Sequence, residues 1–193
     1  MSITLSLNSP RTAWVDTLRS PDASATIQVV SIITFALLTA AGAQIRVYLW
    51  EVPFTLQTVA VYGSGLFLGW RNGLLAQLFY IALGMALPVF AGPGFGAAYL
   101  FAAASGGYVL AFPLVAALSG KLSDRWNTLG GSVLTLFASS LLLFGIGVTW
   151  LHFAAGHMTW FESIDKGWLR FIPVDLAKIV LVALVYSGLR RAR

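Results

Sequence analysis

Two charged residues stand where charge is hardest to keep: Asp175 and Lys178, inside the apolar run that closes the chain. Three residues apart on a helix, they share one face about one turn apart. A charge within a membrane costs on the order of 2.5 to 3.5 kcal/mol even on lenient insertion scales, so it usually faces a cavity, a partner or a pathway. Two readings stay open: an intrahelical ion pair near the outer interface, or a ligand site. Pro173, suited to a first helical turn, would put Asp175 close to the surface, within reach of a solute arriving from outside. Gln57 and Tyr80 offer neutral hydrogen-bonding groups to a solute or, equally, to a neighbouring helix. His152 and His157 are five apart, not the i, i+4 of helical metal ligands, and nearby Glu162 adds little, so no metal site is expected. No nucleophile triad, phosphate-binding glycine loop or paired catalytic carboxylates stands out, so the chain carries no visible enzyme machinery.

The elements that must position these groups are membrane spans. Of 193 residues, 58% are hydrophobic and 10% charged, against about 25% charged in a soluble domain. The apolar runs are long and continuous, not alternating at period two, which selects helices over a barrel. Six spans are expected: Ile27 to Ala43, Phe54 to Leu68, Leu74 to Leu87, Gly107 to Ser119, Leu129 to Leu151 and Pro173 to Leu189. Gln44 to Pro53 reads as a loop, Gly69 to Gly73 as a tight turn, and His152 to Arg170 as a polar outer region. The glycine-rich, proline-containing segment from Pro88 to Gly106 suits a re-entrant or capping lid, or equally tight helix packing. Residues 1–26 read as a polar tail, not a secretory signal, and residues 27–193 as one transmembrane domain. There are no cysteines, which excludes disulfides and thiolate metal sites and leaves the redox compartment unread.

One side holds Arg11, Arg19, Arg71, Lys121, Arg125, Arg190, Arg191 and Arg193, and the other only Arg46, Lys166 and Arg170. Short cytoplasmic loops retain Lys and Arg, so both termini are expected in the cytoplasm of a cell that keeps this protein in its cytoplasmic membrane. The net charge of +5 then reflects topology, and nucleic-acid binding is not needed to explain it. Ala36-x-x-x-Ala40 is a small-xxx-small pattern that serves either internal packing or a partner.

The ordered run Val52-Pro-Phe-Thr-Leu-Gln-Thr58, Gly63, Gly65-Leu-Phe-Leu-Gly69, Gly73, Tyr80-x-x-Leu-Gly84, Leu87-Pro-Val-Phe-Ala-Gly92 and Ser105-Gly-Gly-Tyr-Val-Leu110 closely resembles the BioY family, the biotin-binding S components of energy-coupling-factor (ECF) transporters. Asp175-x-x-Lys178 matches the family's acid and lysine in the last helix. Two departures appear: Ala104 and Ser105 replace a usual proline and threonine, and Tyr48-Leu-Trp-Glu51 is unusual in the first outer loop. The resemblance implies an all-α, six-helix S component that takes biotin as transported ligand with no cofactor. It also implies association with a transmembrane T component and two ATPase subunits, with ATP hydrolysis occurring elsewhere. It implies a pocket of Gln57, Tyr80, Phe90, Tyr108, Asp175 and Lys178, and raises Ala36 and Ala40 as part of the T-component surface. A different vitamin, or a packing subunit that binds no ligand, are the alternatives.

Overall fold

The computed structural model describes residues 14–191 except Pro21, Pro93 and Asn127, and the side chains of Trp14 and Arg191. Residues 1–13, Asn127 and Arg193, with the Arg11 counted for orientation, lie outside the described residues, as does the Arg191 side chain. The chain runs α1 (Trp14–Arg19), α2 (Ala25–Gln44), β1 (Arg46–Val47), β2 (Phe54–Thr55), α3 (Gln57–Ala86), α4 (Gly96–Ala102), α5 (Gly106–Ser123), α6 (Leu129–Ala154), α7 (Trp160–Gly167), a 3-10 turn (Leu169–Phe171) and α8 (Ile172–Arg191). Five helical stretches are long and apolar enough to cross a membrane. The second of them, α3, is two rods.

Gly69, with φ 76° and ψ 177°, breaks α3 into arms 57–68 and 70–86. A β-carbon placed on Gly73 would meet the Ser64 carbonyl oxygen at 2.9 Å. Nine residues along a straight helix would separate those groups by about 13 Å, so the arms run antiparallel. The expected pair of spans is therefore present, and six rods cross the molecule. The turn is tighter than Gly69 to Gly73, because a left-handed glycine reverses the chain by itself.

Other boundaries move for local reasons. Ser24 and Thr128 accept hydrogen bonds from the backbone N–H of Ile27 and Gly131, which starts α2 and α6. The loop from Gln44 to Pro53 is closed by a small antiparallel ladder pairing Arg46 with Thr55 and Val47 with Phe54, so the next helix begins at Gln57 and not at Phe54. The region His152 to Arg170 is mostly helical. Helix α6 runs on through His152, and Thr159 caps α7 by accepting from the Glu162 N–H at 3.2 Å. Helix α4 occupies the middle of the glycine-rich segment. The polar N-terminal tail holds α1, whose Val15 is buried.

The chain order puts residues 45–56, 87–105 and 155–171 at one end, here the mouth. The turns at Gly69 and 124–128, with α1, lie at the other. Leucine, valine and phenylalanine side chains face outward along the rods, among them Leu37 and Leu38 on α2, Phe137 and Leu141 on α6, and Leu181 and Leu184 on α8. In water such a surface would drive aggregation; in lipid it is the expected exterior. Inside, on the closed-end side of Asp175, a layer of Leu66, Leu136, Ile179 and Ala183 is fully buried. Below it the Arg19 guanidinium reaches the Leu66 carbonyl and Asp124, and donates to Ser123 Oγ at 3.0 Å, Gly120 O at 3.3 Å and the Tyr186 hydroxyl at 3.3 Å. One side chain thus ties α3, α5 and α8 together. A further polar node, Gln77 with Ser64 at 3.1 Å and Thr39 at 3.3 Å, joins α2 to both arms of α3, the kind of interhelical hydrogen bond that holds rods together in lipid.

Candidate functional site

Helix α8 opens with Ile172 and Pro173, so Asp175 sits in its first turn. Asp175 is 5% exposed and Lys178 8%. No ion pair within 4.0 Å joins the two among the described residues. Each is held by other helices. The Asp175 carboxylate accepts from the Tyr62 hydroxyl at 2.9 Å and from Ser140 Oγ at 2.5 Å, one bond to each oxygen. Lys178 Nζ donates to the Thr55 carbonyl at 2.6 Å and to Thr58 Oγ1 at 3.1 Å. The intrahelical ion pair is therefore not how the membrane tolerates these charges; cross-helix hydrogen bonds are.

Both residues line a cavity at the mouth end that is partly open to solvent. Its polar rim holds Gln57, Thr58, Tyr99, Asp175 and Lys178, and its apolar walls include Tyr108, Phe112, Leu143, Phe144 and Phe171. That mixture suits a small ligand, since such pockets are mostly apolar and carry few polar groups. Of the residues expected from sequence, Gln57, Tyr108, Asp175 and Lys178 line the cavity. Tyr80 and Phe90 stand one layer behind it. Tyr80 takes a hydrogen bond from Gln57 Nε2 at 2.6 Å, and Phe90 stacks on Tyr99 at 4.8 Å, so both buttress the wall. Tyr108 donates to the Gly167 carbonyl at 2.8 Å, and its ring lies so close to Gly147 that a β-carbon there would collide with it. Ala36 and Ala40 face inward, 0% and 8% exposed, so in this conformation they serve packing within the chain.

Sequence reasoning missed Tyr62, Ser140, Thr58 and Tyr99. Nothing in an apolar helix marks one hydroxyl as a carboxylate partner, and only the acid it meets reveals it. The odd run Tyr48-Leu-Trp-Glu51 also finds its place. The Tyr48 hydroxyl donates to the Ala91 carbonyl at 2.6 Å, and the Arg170 guanidinium lies 4.2 Å above the Trp50 ring. Glu51 accepts from Lys166 Nζ at 2.9 Å, a lysine that also bonds Glu162 at 2.9 Å, with His157 Nε2 at 3.6 Å from the same Glu51 oxygen. Val52 and Pro53, next in line, form part of the cavity wall. The loop at residues 45–56 is thus a cover fastened to both neighbouring mouth-end segments. The Lys166 ammonium beside Glu51 holds its carboxyl below the usual carboxylate range. The two histidines share Ser163 Oγ, at 2.9 and 3.0 Å, and no group of three metal-binding side chains occurs among the described residues.

These features define a multi-pass helical membrane protein with a half-polar pocket reached from one end and sealed at the other. The BioY family profile matches residues 14–193. A biotin transporter of Thermotoga maritima is 33% identical over 165 residues, covering 85% of this chain and 96% of that protein. A probable biotin transporter of Pyrococcus horikoshii is 35% identical over 164 residues, covering 84% and 96%, and one of Lysinibacillus sphaericus is 33% identical over 180, covering 87% and 91%. The crystal structure of the S-component for biotin from an ECF-type ABC transporter superposes with a TM-score of 0.78, covering 90% of this chain and 96% of that one at 22% identity, which establishes the shared fold. The chain belongs to the BioY family.

Proposed function

We propose that this protein binds biotin in the mouth-end cavity and, as the substrate-specific S component of an ECF-type ABC transporter, carries it across the cytoplasmic membrane. The family membership and the relatives' names supply the substrate. The observation that carries the site is the unused hydrogen-bonding capacity of Asp175 and Lys178. A carboxylate has about four acceptor positions and a lysine three donors. With two of each engaged inside the protein, two acceptor positions and one N–H remain. A ureido ring offers two N–H donors and one carbonyl acceptor, the complementary set, and charge-assisted bonds of this type are about twice as strong as neutral ones. The aromatic walls suit the sulfur-containing ring, and Gln57, placed by its bond to Tyr80, adds a neutral partner. Lys178 alternatively meets the carboxylate tail.

The pocket mouth then faces outward and both termini face the cytoplasm, as the basic residues at Arg19, Arg71, Lys121, Arg125 and Arg190 favour. A T component and two ATPases supply the energy, and no chemistry is catalysed by this chain. Because Ala36 and Ala40 are turned inward, we place T-component docking on the outward face of α2 that carries Leu37 and Leu38. Equilibrium binding of biotin to the detergent-purified protein, with thiamin and riboflavin as controls, tests the reading. Selective biotin binding supports it; a well-folded sample that binds none of them overturns it.

A further inference from the structure

Nothing in helix α8 fixes the direction in which the Asp175 carboxylate points, because the terminal torsion of an aspartate is broad. Two hydroxyls from other helices do. Tyr62, on the first arm of α3, is fully buried, and Ser140, in the middle of α6, is 4% exposed. Neither lines the cavity. The two bonds fall on different carboxylate oxygens, at 2.9 and 2.5 Å. A carboxylate only accepts, so both hydroxyls must donate to it. A group clamped at both oxygens cannot turn, and its free lone pairs keep one bearing.

Building on the proposed biotin site, we infer that Tyr62 and Ser140 are positioning residues. They orient Asp175 so that its remaining acceptor positions meet a ligand N–H group, and they thereby make the pocket selective for a ring that carries such a donor. They act through Asp175 and do not touch the ligand. This assigns the specificity of the polar end to three helices, α3, α6 and α8, although only α8 supplies the charge.

The test uses the purified full chain carrying Tyr62→Phe or Ser140→Ala, titrated calorimetrically with biotin and with the two cyclic-carbamate analogues in which one or the other ring N–H is replaced by oxygen. Each variant should weaken biotin about tenfold or more, the scale of a hydrogen bond to a charged group, while the ligand-free melting temperature shifts little. The loss should shrink to a few-fold for the carbamate lacking the N–H that Asp175 accepts, and Ser140→Thr should restore most of the affinity. Unchanged biotin affinity, or an equal loss across all three ligands, overturns the inference. Asp175→Asn separates the two levels. If Asp175→Asn binds as tightly as the unaltered protein, the site reading itself fails. If Asp175→Asn is weak while Tyr62→Phe and Ser140→Ala bind normally, only the positioning role fails.

Discussion

Asp175 and Lys178 are one helical turn apart yet are hydrogen-bonded separately, and this separation leaves both available to a ligand. A direct ion pair would have satisfied the membrane equally well but consumed the donor and the acceptor together. Here Lys178 leans on Thr55 of β2 and Thr58 at the start of α3, and Asp175 on Tyr62 and Ser140. Lys178→Ala should therefore weaken biotin binding by about ten- to a hundredfold, the range for losing a charged hydrogen-bond partner. Calorimetry on a variant whose unliganded melting curve is intact checks this, and unchanged affinity would remove Lys178 from the site. The two charged residues were legible in the sequence because charge in an apolar run is conspicuous. Their hydroxyl partners were not, because a serine or tyrosine in a membrane helix has many unremarkable uses. Tyr80 and Phe90 lie in the motif strings of the resemblance, which register that a residue matters without saying whether it faces the ligand or props up a neighbour that does.

Among the elements, the rods could be read from continuous apolar runs, and the reversal inside α3 from a turn-forming Gly-Trp-Arg-Asn-Gly. The ladder of β1 and β2 could not: two residues per strand are too few for an alternating pattern. Helix α7 was concealed by its polarity, although Thr159-x-x-Glu162 is a start signal. Two glycines separate backbone need from space. Gly69 has a left-handed φ of 76° and nothing within 4 Å of an added β-carbon, whereas Gly147 has ordinary helical geometry and faces the Tyr108 ring. Gly69→Ala should cost about 1–3 kcal/mol through backbone strain alone and leave biotin affinity unchanged. Gly147→Ala should cost a comparable ~1–3 kcal/mol by overpacking and also weaken biotin, because Tyr108 is a wall of the cavity. Thermal melts paired with binding isotherms distinguish these outcomes.

At the scale of the molecule, the two ends are fastened differently. The mouth is partly covered by the loop that Glu51 anchors, which Lys166 bonds, with His157 and Glu162 beside it. The folded protein keeps Glu51 ionised to a lower pH than the unfolded chain does. Its stabilising contribution is therefore complete above the ordinary value of 4.5 and is lost as pH falls through the lowered one. Melting temperature should fall below that point less steeply in Glu51→Gln than in the unaltered protein; parallel curves would show that the anchor contributes nothing. Orientation is checked on the same scale. The chain has no cysteine, so Lys121→Cys and Glu162→Cys each introduce one thiol, and an impermeant maleimide applied to whole cells should label Glu162→Cys and spare Lys121→Cys.

The opposite end is closed by the Arg19 staple beneath a fully buried layer of aliphatic side chains. A vessel with a solid base should carry no leak current, so a cell that keeps many empty copies in its membrane should not discharge the gradients that power everything else.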